Sequence, residues 1–358
     1  MELVVGFIFC WTWWILPDTI ICWWNVDSGE WQAHRGSVTK LSWAHPEFGS
    51  VLATCGSDSD AKIWEERTHA QTVTAATATS GAGTPTVGGS SGSIMDMASA
   101  SATTGAAANS SLASRWTIKT QLTEARKAVS CLEFAPRHWG LKLATGSADG
   151  SVRIYEAVDI TNLSQWPLAA TLQAFDDDDH QDNATARSSP QNLGVLCLSW
   201  CTGRFEPPTL VVGGNRLKIF RYMESSRSWQ PLLQLPSSSS QILDVAWAPN
   251  VGRRFHYIAS AEDSILRVHK LTRTYPDSPA EDKSGQSKLN KATSATAGIN
   301  SNKLEVKSSQ EIETNAWRCQ WNVTGTVLAS AGDAGAVQMW KSDSDGTFQC
   351  VAVANPGE

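Results

Sequence analysis

The chain has 358 residues and a formal net charge of −6 at pH 7, and its 8 cysteines lie without paired spacing. An acidic balance argues against direct nucleic-acid binding, which needs a basic surface. The scattered cysteines favour free, buried thiols in a reducing compartment over a metal-binding knuckle.

The N-terminal segment is apolar from Leu3 to Leu16 except for Thr12. It opens with Met1-Glu2 instead of a positive charge, and no small-residue cleavage site follows, so it does not fit a signal peptide. A membrane-spanning helix would carry Asp18 deep in the bilayer, where an aspartate costs roughly 2.5–3.5 kcal/mol. We therefore favour a fragment of a repeat over a membrane segment.

From residue 34 onward the chain repeats a pattern of strand, turn and strand. Apolar side chains alternate with polar ones in the strands, and Gly, Asn or Asp occupy the turns. An aromatic residue ends the first strand of each repeat: Trp43, Phe134, Trp200, Trp247 and Trp321. The shortest interval between them, 47 residues, lies just above the period of about 40–45 expected for a four-stranded propeller blade.

Four strands are predicted in each of five complete repeats. In chain order they are Val38–Trp43, Val51–Thr54, Ala61–Trp64 and Trp116–Leu122; Ala128–Phe134, Leu141–Thr145, Val152–Tyr155 and Leu168–Gln173; Val195–Trp200, Thr209–Val212, Leu217–Phe220 and Trp229–Leu235; Ile242–Trp247, Tyr257–Ser260, Ile265–His269 and Lys303–Val306; Ala316–Trp321, Val327–Ser330, Ala336–Trp340 and Phe348–Val353. This pattern predicts an all-β fold, a β-propeller.

The propeller is expected to have six blades, of which the first is incomplete. Residues 1–33 supply only Thr19–Asn25 as a third strand and Glu30–Ala33 as a shortened fourth. Residues 34–354 then form blades two to six. Insertions at 68–114, 175–192 and 275–302 are too poor in large apolar residues to pack, so we expect disordered loops there.

An aspartate stands six residues before the residue that ends the third strand in several repeats. These aspartates are Asp58, Asp149 and Asp263. Because they recur at one offset, they are interpreted as turn acceptors and not as a catalytic set. His34 is interpreted in the same way, as a histidine through which the turn holds the preceding loop.

Two segments resemble a known family. His34–Val38 with Ser42–Gly49 resembles the second blade of two WD-repeat scaffolds, the Seh-type nucleoporin of the Y-shaped nuclear pore subcomplex and the propeller of the COPII outer coat. Phe134–Ala157 with Asn162–Trp166 is similar to the Seh type and separates the two. The residues before Thr19 depart from the family pattern, and we hypothesise a truncated or misspliced start.

The resemblance implies a six-bladed WD-repeat propeller whose ring is open and is completed by a blade from a helical scaffold nucleoporin. It also implies other Y-complex nucleoporins as partners, location at the nuclear envelope, and support of mRNA export and protein transport. A similar propeller serves the SEA/GATOR nutrient-signalling assembly at the periphery of the vacuolar or lysosomal membrane. A COPII coat propeller for vesicle budding remains the alternative.

No enzyme, metal or cofactor signature stands out in the sequence. It lacks a phosphate-binding loop, a zinc-protease histidine pair and a Gly-x-Ser-x-Gly elbow. We therefore expect a scaffold without catalytic residues, cofactor or metal. The candidate partner-binding residues lie on the two flanking blades: Ile20, Ile21 and Trp23 in the first, and Val337, Met339 and Trp340 in the last. Ordinary packing between blades is the competing interpretation of these six.

Overall fold

The computed structural model describes residues 33–66, 116–175, 194–237, 241–274, 303–332 and 335–355. The segment before residue 33, with Ile20, Ile21 and Trp23, lies outside the described residues, as do almost all residues of the three predicted insertions. No helix in the described ranges is both long and apolar enough to cross a membrane.

The described residues form twenty strands in five four-stranded antiparallel sheets, which we call blades A to E. Blade A contains β1 (Val38–Trp43), β2 (Val51–Gly56), β3 (Ala61–Glu66) and β4 (Trp116–Leu122). Blade B contains β5 (Val129–Phe134), β6 (Lys142–Ser147), β7 (Ser151–Glu156) and β8 (Leu168–Gln173). Blade C contains β9 (Cys197–Trp200), β10 (Thr209–Gly213), β11 (Leu217–Met223) and β12 (Ser228–Leu235). Blade D contains β13 (Ile242–Trp247), β14 (Phe255–Glu262), β15 (Ile265–Thr274) and β16 (Lys303–Glu313), and blade E contains β17 (Ala316–Trp321), β18 (Val327–Gly332), β19 (Val337–Ser342) and β20 (Phe348–Ala354).

The blades are arranged radially with their first strands innermost. Within each blade the strands pair in chain order, and the first strands of consecutive blades contact one another, β1 with β5, β5 with β9, β9 with β13 and β13 with β17. The predicted all-β propeller is therefore confirmed, and five of its blades lie in the described residues.

A bulge recurs at the same place in the first strand of four blades. The register shifts between Val38 and Lys40 in blade A, and at the matching positions of blades B, D and E. A bulge increases the local right-handed twist of a strand. The repeated bulge therefore gives the inner strands a common twist, which suits packing around one axis.

Apolar side chains between neighbouring blades form the core. The third strand of each blade contains an aromatic residue: Trp64, Tyr155, Phe220, His269 or Trp340. We call the face of a blade that meets the next blade along the chain its forward face, and the residue just before this aromatic lies on it. In blades A to D that residue is Ile63, Ile154, Ile219 or Val268, and each belongs to an apolar cluster shared with the following blade. Fully burying a side chain of this size contributes about 1.5–3 kcal/mol.

The fourth strand of blade D is longer than its sequence pattern predicted. The alternation predicted Lys303–Val306, whereas β16 runs to Glu313 and pairs with β15 along its whole length, from Thr274 opposite Lys303 to Ile265 opposite Glu313. An outermost strand needs only backbone partners on one side, so its polar residues are not obliged to alternate with apolar ones.

Candidate functional site

A hydrogen-bonded chain joins the loop before blade A to the interior of that blade. His34 Nδ1 lies 2.9 Å from Asp58 Oδ1, and His34 Nε2 lies 2.8 Å from Thr54 Oγ1. Trp64 Nε1 donates to the same Thr54 oxygen at 2.9 Å. All three contacts are satisfied when His34 carries its proton on Nδ1, donates to Asp58 and accepts from the Thr54 hydroxyl. His34 and Asp58 therefore contact each other between the turn and the preceding loop.

Asp149 holds its turn through a different set of partners. Its carboxylate accepts from the amides of Ser151 and Arg126, at 3.0 and 3.2 Å. Arg153 Nη2 donates to Asp149 Oδ2 at 2.8 Å. Burial opposes ionisation of Asp149, but the bonds from Arg153 and the two amides outweigh it and hold the pKa of the carboxyl below its ordinary value.

Asp263 does not take the corresponding position in blade D, which corrects the prediction from the offset. Its side chain is exposed. The buried carboxylate of this turn belongs to Glu262, which accepts from Arg267 Nε at 3.1 Å. The offset located the turn correctly, but the longer glutamate one residue earlier reaches the interior position.

A cluster of charged side chains occupies the centre of the propeller, and the sequence pattern did not reveal it. Lys40 Nζ of blade A lies 3.6 Å from Asp244 Oδ1 of blade D, although these two blades are not consecutive. Arg318 of blade E approaches the same oxygen at 3.8 Å, and the amide of Cys319 donates to Asp244 Oδ2 at 3.1 Å. The innermost strands of three blades thus meet around one carboxylate.

The charges of this central cluster alter one another's protonation. Burial alone would lower the pKa of Lys40, but Asp244 and Glu133 outweigh it and raise that pKa above its ordinary value. Burial raises the pKa of Glu133 to about 7, while Lys40 works in the opposite direction. The cluster is therefore an ionic network around the buried carboxylate of Asp244, with Lys40 half-buried and Arg318 exposed. The part of the chain that the structure describes contains no group of three or more metal-ligating side chains.

The forward face of blade E differs from the forward faces of blades A to D. The residue that precedes the third-strand aromatic is Met339, and its exposed fraction is 38%, whereas Ile63, Ile154, Ile219 and Val268 are between 0% and 3% exposed. Because side chains alternate between the two faces of a strand, Val337 shares this face with Met339. The cross-strand partners of these two residues are Ala331 and Ala329.

The forward face of blade E is thus an apolar strip of Ala329, Ala331, Val337 and Met339. Val337 and the two alanines are half-buried. Val337 and Met339 are two of the partner-binding candidates from the sequence, whereas the two alanines are not among those candidates. The signal that could have found them is the cross-strand register, since the alanines lie opposite the predicted residues on β18.

Trp340 does not belong to this strip, which corrects its assignment to the same surface. It is 8% exposed, packs in the apolar cluster between blades D and E, and donates from Nε1 to Ser330 Oγ at 2.9 Å. Adjacent residues of one strand point to opposite faces, so Met339 and Trp340 cannot line one surface together. The predicted residues of the first blade, Ile20, Ile21 and Trp23, lie outside the described residues.

Comparison with known proteins identifies the family. A family model described as WD domain, G-beta repeat, matches residues 26–65 and 116–156. The chain is 32% identical over 339 residues to nucleoporin SEH1-A of Xenopus laevis, an alignment that covers 91% of this chain and 75% of that protein. It is 31% identical over 337 residues to nucleoporin SEH1 of Homo sapiens, with the same two coverages. For nucleoporin SEH1 of Danio rerio the identity is 32% over 355 residues, covering 94% of this chain and 78% of the relative.

A solved structure supports the fold independently. Sqt1 of Saccharomyces cerevisiae superposes with a TM-score of 0.52 at 12% identity, over 91% of this chain and 64% of that chain. This likeness concerns the fold alone. The resemblance to Seh-type nucleoporins, which Phe134–Ala157 carried in the sequence, is confirmed by the identity to the curated relatives. The chain belongs to the SEH1 family of nucleoporins, whose members are WD-repeat proteins.

Proposed function

We propose that this protein is a non-enzymatic scaffold of the nuclear pore complex, located at the nuclear envelope. The relatives described above carry the name nucleoporin, and the propeller supplies several flat blades for assembly. The proposal includes the Y-shaped subcomplex as the assembly, with its other nucleoporins as partners, and support of mRNA export and protein transport as the cellular outcome. Since those relatives are named nucleoporins, we do not propose the COPII coat alternative.

The forward face of blade E is the observation that carries the binding part of this proposal. Four blades cover the equivalent strip with the next blade, whereas Met339 remains 38% exposed. In the proposed assembly a helical scaffold nucleoporin donates a blade that packs on this strip. The proposal keeps two expectations from the sequence, that the ring has six blades and that it is open until the partner completes it.

The chemistry of the strip favours a partner blade over a polar ligand. Ala329 and Ala331 are small and Val337 is β-branched, a combination that also forms the buried forward faces of the other blades. Covering a large apolar side chain contributes about 1.5–3 kcal/mol, and a blade placed here would cover the four residues of the strip together. A second role in the SEA/GATOR assembly, at the vacuolar or lysosomal periphery, would use the same surface.

The proposal is tested by affinity purification of the tagged full-length protein from its own cells, followed by peptide identification. The parent should recover Y-complex nucleoporins, and Met339→Asp should reduce their recovery tenfold or more because it places a charge on the covered strip. Leu168→Asp is the matched control, since Leu168 is exposed to a similar fraction, 42%, on the outer strand of blade B.

Two results would contradict the proposal. Recovery of coat subunits without nucleoporins would overturn the assembly, and equal recovery by Met339→Asp and the parent would overturn the assignment of the strip. The melting temperatures of both variants should stay close to that of the parent, which separates a loss of binding from a loss of folding. Recovery of SEA/GATOR subunits that Met339→Asp also abolishes would support the second role.

A further inference from the structure

A second surface lies at one end of the propeller, away from the strip on blade E. The loops that join the first and second strands of each blade gather at this end. The loop of blade C, between β9 and β10, carries Phe205 at its turn with an exposed fraction of 94%. A lone exposed apolar residue needs no explanation, so the significance of Phe205 depends on its surroundings.

Two cavities lined by arginine flank Phe205. One, of about 330 Å³, is lined by Glu47, Arg137, His138 and Arg204, which come from the loops of blades A, B and C. The other, of about 430 Å³, is lined by Glu206, Arg253, Arg254, His256 and Arg273. Arg204 lines the first cavity and Glu206 lines the second, so Phe205 lies between the two along the chain.

The charge of the two cavities is opposite in sign to that of the whole chain. The two cavities contain five arginines against two glutamates, a surplus of positive charge on a protein whose formal net charge is −6. Burial lowers the pKa of His138, and it lowers the pKa of His256 to about 4. Both histidines are therefore mainly neutral at pH 7 and the arginines account for the surplus.

Much of this positive charge is not compensated by the protein itself. Arg253 donates to the carbonyl oxygens of Gly325 and Pro249, at 2.8 and 2.6 Å, which fixes its guanidinium without neutralising it. Arg204 and Arg254 are exposed and form no ion pair with any described carboxylate. The two arginines that do have carboxylate partners are Arg137, 3.3 Å from Glu47, and Arg273, which pairs with Glu206.

The second cavity also contains buried donors that lack an acceptor. Nε of Arg253 and Nε of Arg273 are buried, with no hydrogen-bond partner among the described residues. A buried donor without a partner costs about 1–3 kcal/mol, and most such groups in proteins are satisfied. Both guanidinium groups are therefore held in the wall of this cavity at a cost in stability.

We propose that this end of the propeller binds an acidic peptide segment of another protein, with carboxylates in the two arginine-lined cavities and an apolar side chain against Phe205. Arginine pairs with a carboxylate through two parallel hydrogen bonds. A short peptide fits better than a nucleic acid because Glu47 and Glu206 interrupt the basic surface, and the overall negative charge repels a long polyanion.

The test uses the full-length protein and a fluorescein-labelled short peptide in which glutamates flank one leucine, with binding followed by fluorescence anisotropy at low salt. The expected result is saturable binding that weakens as salt is added. Arg254→Glu should weaken it tenfold or more, and Phe205→Ala several-fold. Lys127→Glu is the matched control, because Lys127 is exposed in the loop before β5, at the opposite end, and this variant changes the net charge by the same amount.

Three outcomes would overturn the proposal. They are the absence of saturable peptide binding, an equal loss of affinity in Lys127→Glu, and tighter binding of single-stranded poly(U) RNA than of the peptide. Because Phe205 and Arg254 are exposed, both variants should melt within a degree or two of the parent, and recovery of nucleoporins through blade E should not change. Failure of this proposal is therefore distinguishable from failure of the proposed scaffold function.

Discussion

Replacing Thr54 with valine removes the hydroxyl that joins His34 to Trp64 inside blade A. Thr54 is 4% exposed, and its oxygen lies 2.8 Å from His34 Nε2 and 2.9 Å from Trp64 Nε1. Valine has nearly the same shape, so the variant deletes two hydrogen bonds without opening a large cavity. The expected effect is a loss of stability that comes from the missing oxygen.

The size of the loss follows from the number of polar groups left without this partner. Each buried polar atom deprived of its partner costs about 1–3 kcal/mol, so the loss of two such contacts in Thr54→Val should destabilise the protein by about 2–6 kcal/mol. Blade E offers a matched variant, because Trp340 Nε1 donates to Ser330 Oγ at 2.9 Å in the equivalent place. Ser330→Ala deletes that one bond and should cost about 1–3 kcal/mol, half the loss expected for Thr54→Val.

Unfolding in urea, followed by tryptophan fluorescence and circular dichroism, measures both losses. The two probes must give coincident transitions before a single free energy of unfolding is extracted. If unfolding is irreversible, the melting midpoints at one scan rate give the same ranking. Equal losses in Thr54→Val and Ser330→Ala, or no loss in Thr54→Val, would refute the reasoning that His34 depends on the Thr54 hydroxyl.

Three further predictions concern charge and burial. Burial opposes ionisation of Asp58, but its hydrogen bonds to His34 and to the amide of Arg35 hold the pKa of this carboxyl below the ordinary 3.8. Asp58→Asn should therefore lower the melting temperature at pH 7, and the variant should match the parent once the pH falls through the pKa of Asp58 in the folded protein. A constant difference in melting temperature at every pH would contradict this. Burial raises the pKa of Glu133 from 4.5 to about 7 against the effect of Lys40, so the parent, unlike Glu133→Gln, loses stability as the pH rises from 4.5 to 7. Urea titrations should find Glu133→Gln more stable than the parent by about 1–3 kcal/mol above pH 7 and equal to it below pH 4.5. A gain in stability at low pH instead would contradict this prediction. Ile154→Ala should lower the free energy of unfolding by about 2–5 kcal/mol, whereas Met339→Ala should lower it by less than about 1 kcal/mol because the Met339 side chain is 38% exposed. Similar losses for the two variants in urea unfolding would show that this chain itself covers the forward face of blade E.

The strands of the propeller could be predicted because their signals are local. Alternation of apolar and polar residues, ended by glycine and aspartate, placed the elements of all five described blades, and the aromatic at the end of each first strand gave their spacing. The same locality explains the errors. Asp263 lies at the expected offset, but a neighbouring glutamate that reaches further inward takes its place. The polar continuation of β16 has no alternation from which a strand could be recognised.

The central cluster could not be predicted in the same way. Lys40 and Asp244 belong to strands that lie far apart in the sequence, and they meet at 3.6 Å only because the inner strands of blades A and D face each other across the centre. Nothing in the residues around either one indicates the other. An ionic contact of this kind depends on the radial arrangement as a whole.

By itself the sequence determined the all-β repeat, the order of the blades and the family, since short-range patterns and recognisable segments are sufficient for these. Only the tertiary structure decided which surfaces remain available. Met339 and Trp340 are adjacent and both apolar, yet one is exposed and the other is buried. The physical reason is that a strand presents alternate side chains to opposite faces, and whether a face is covered depends on the neighbouring blade and not on the residue.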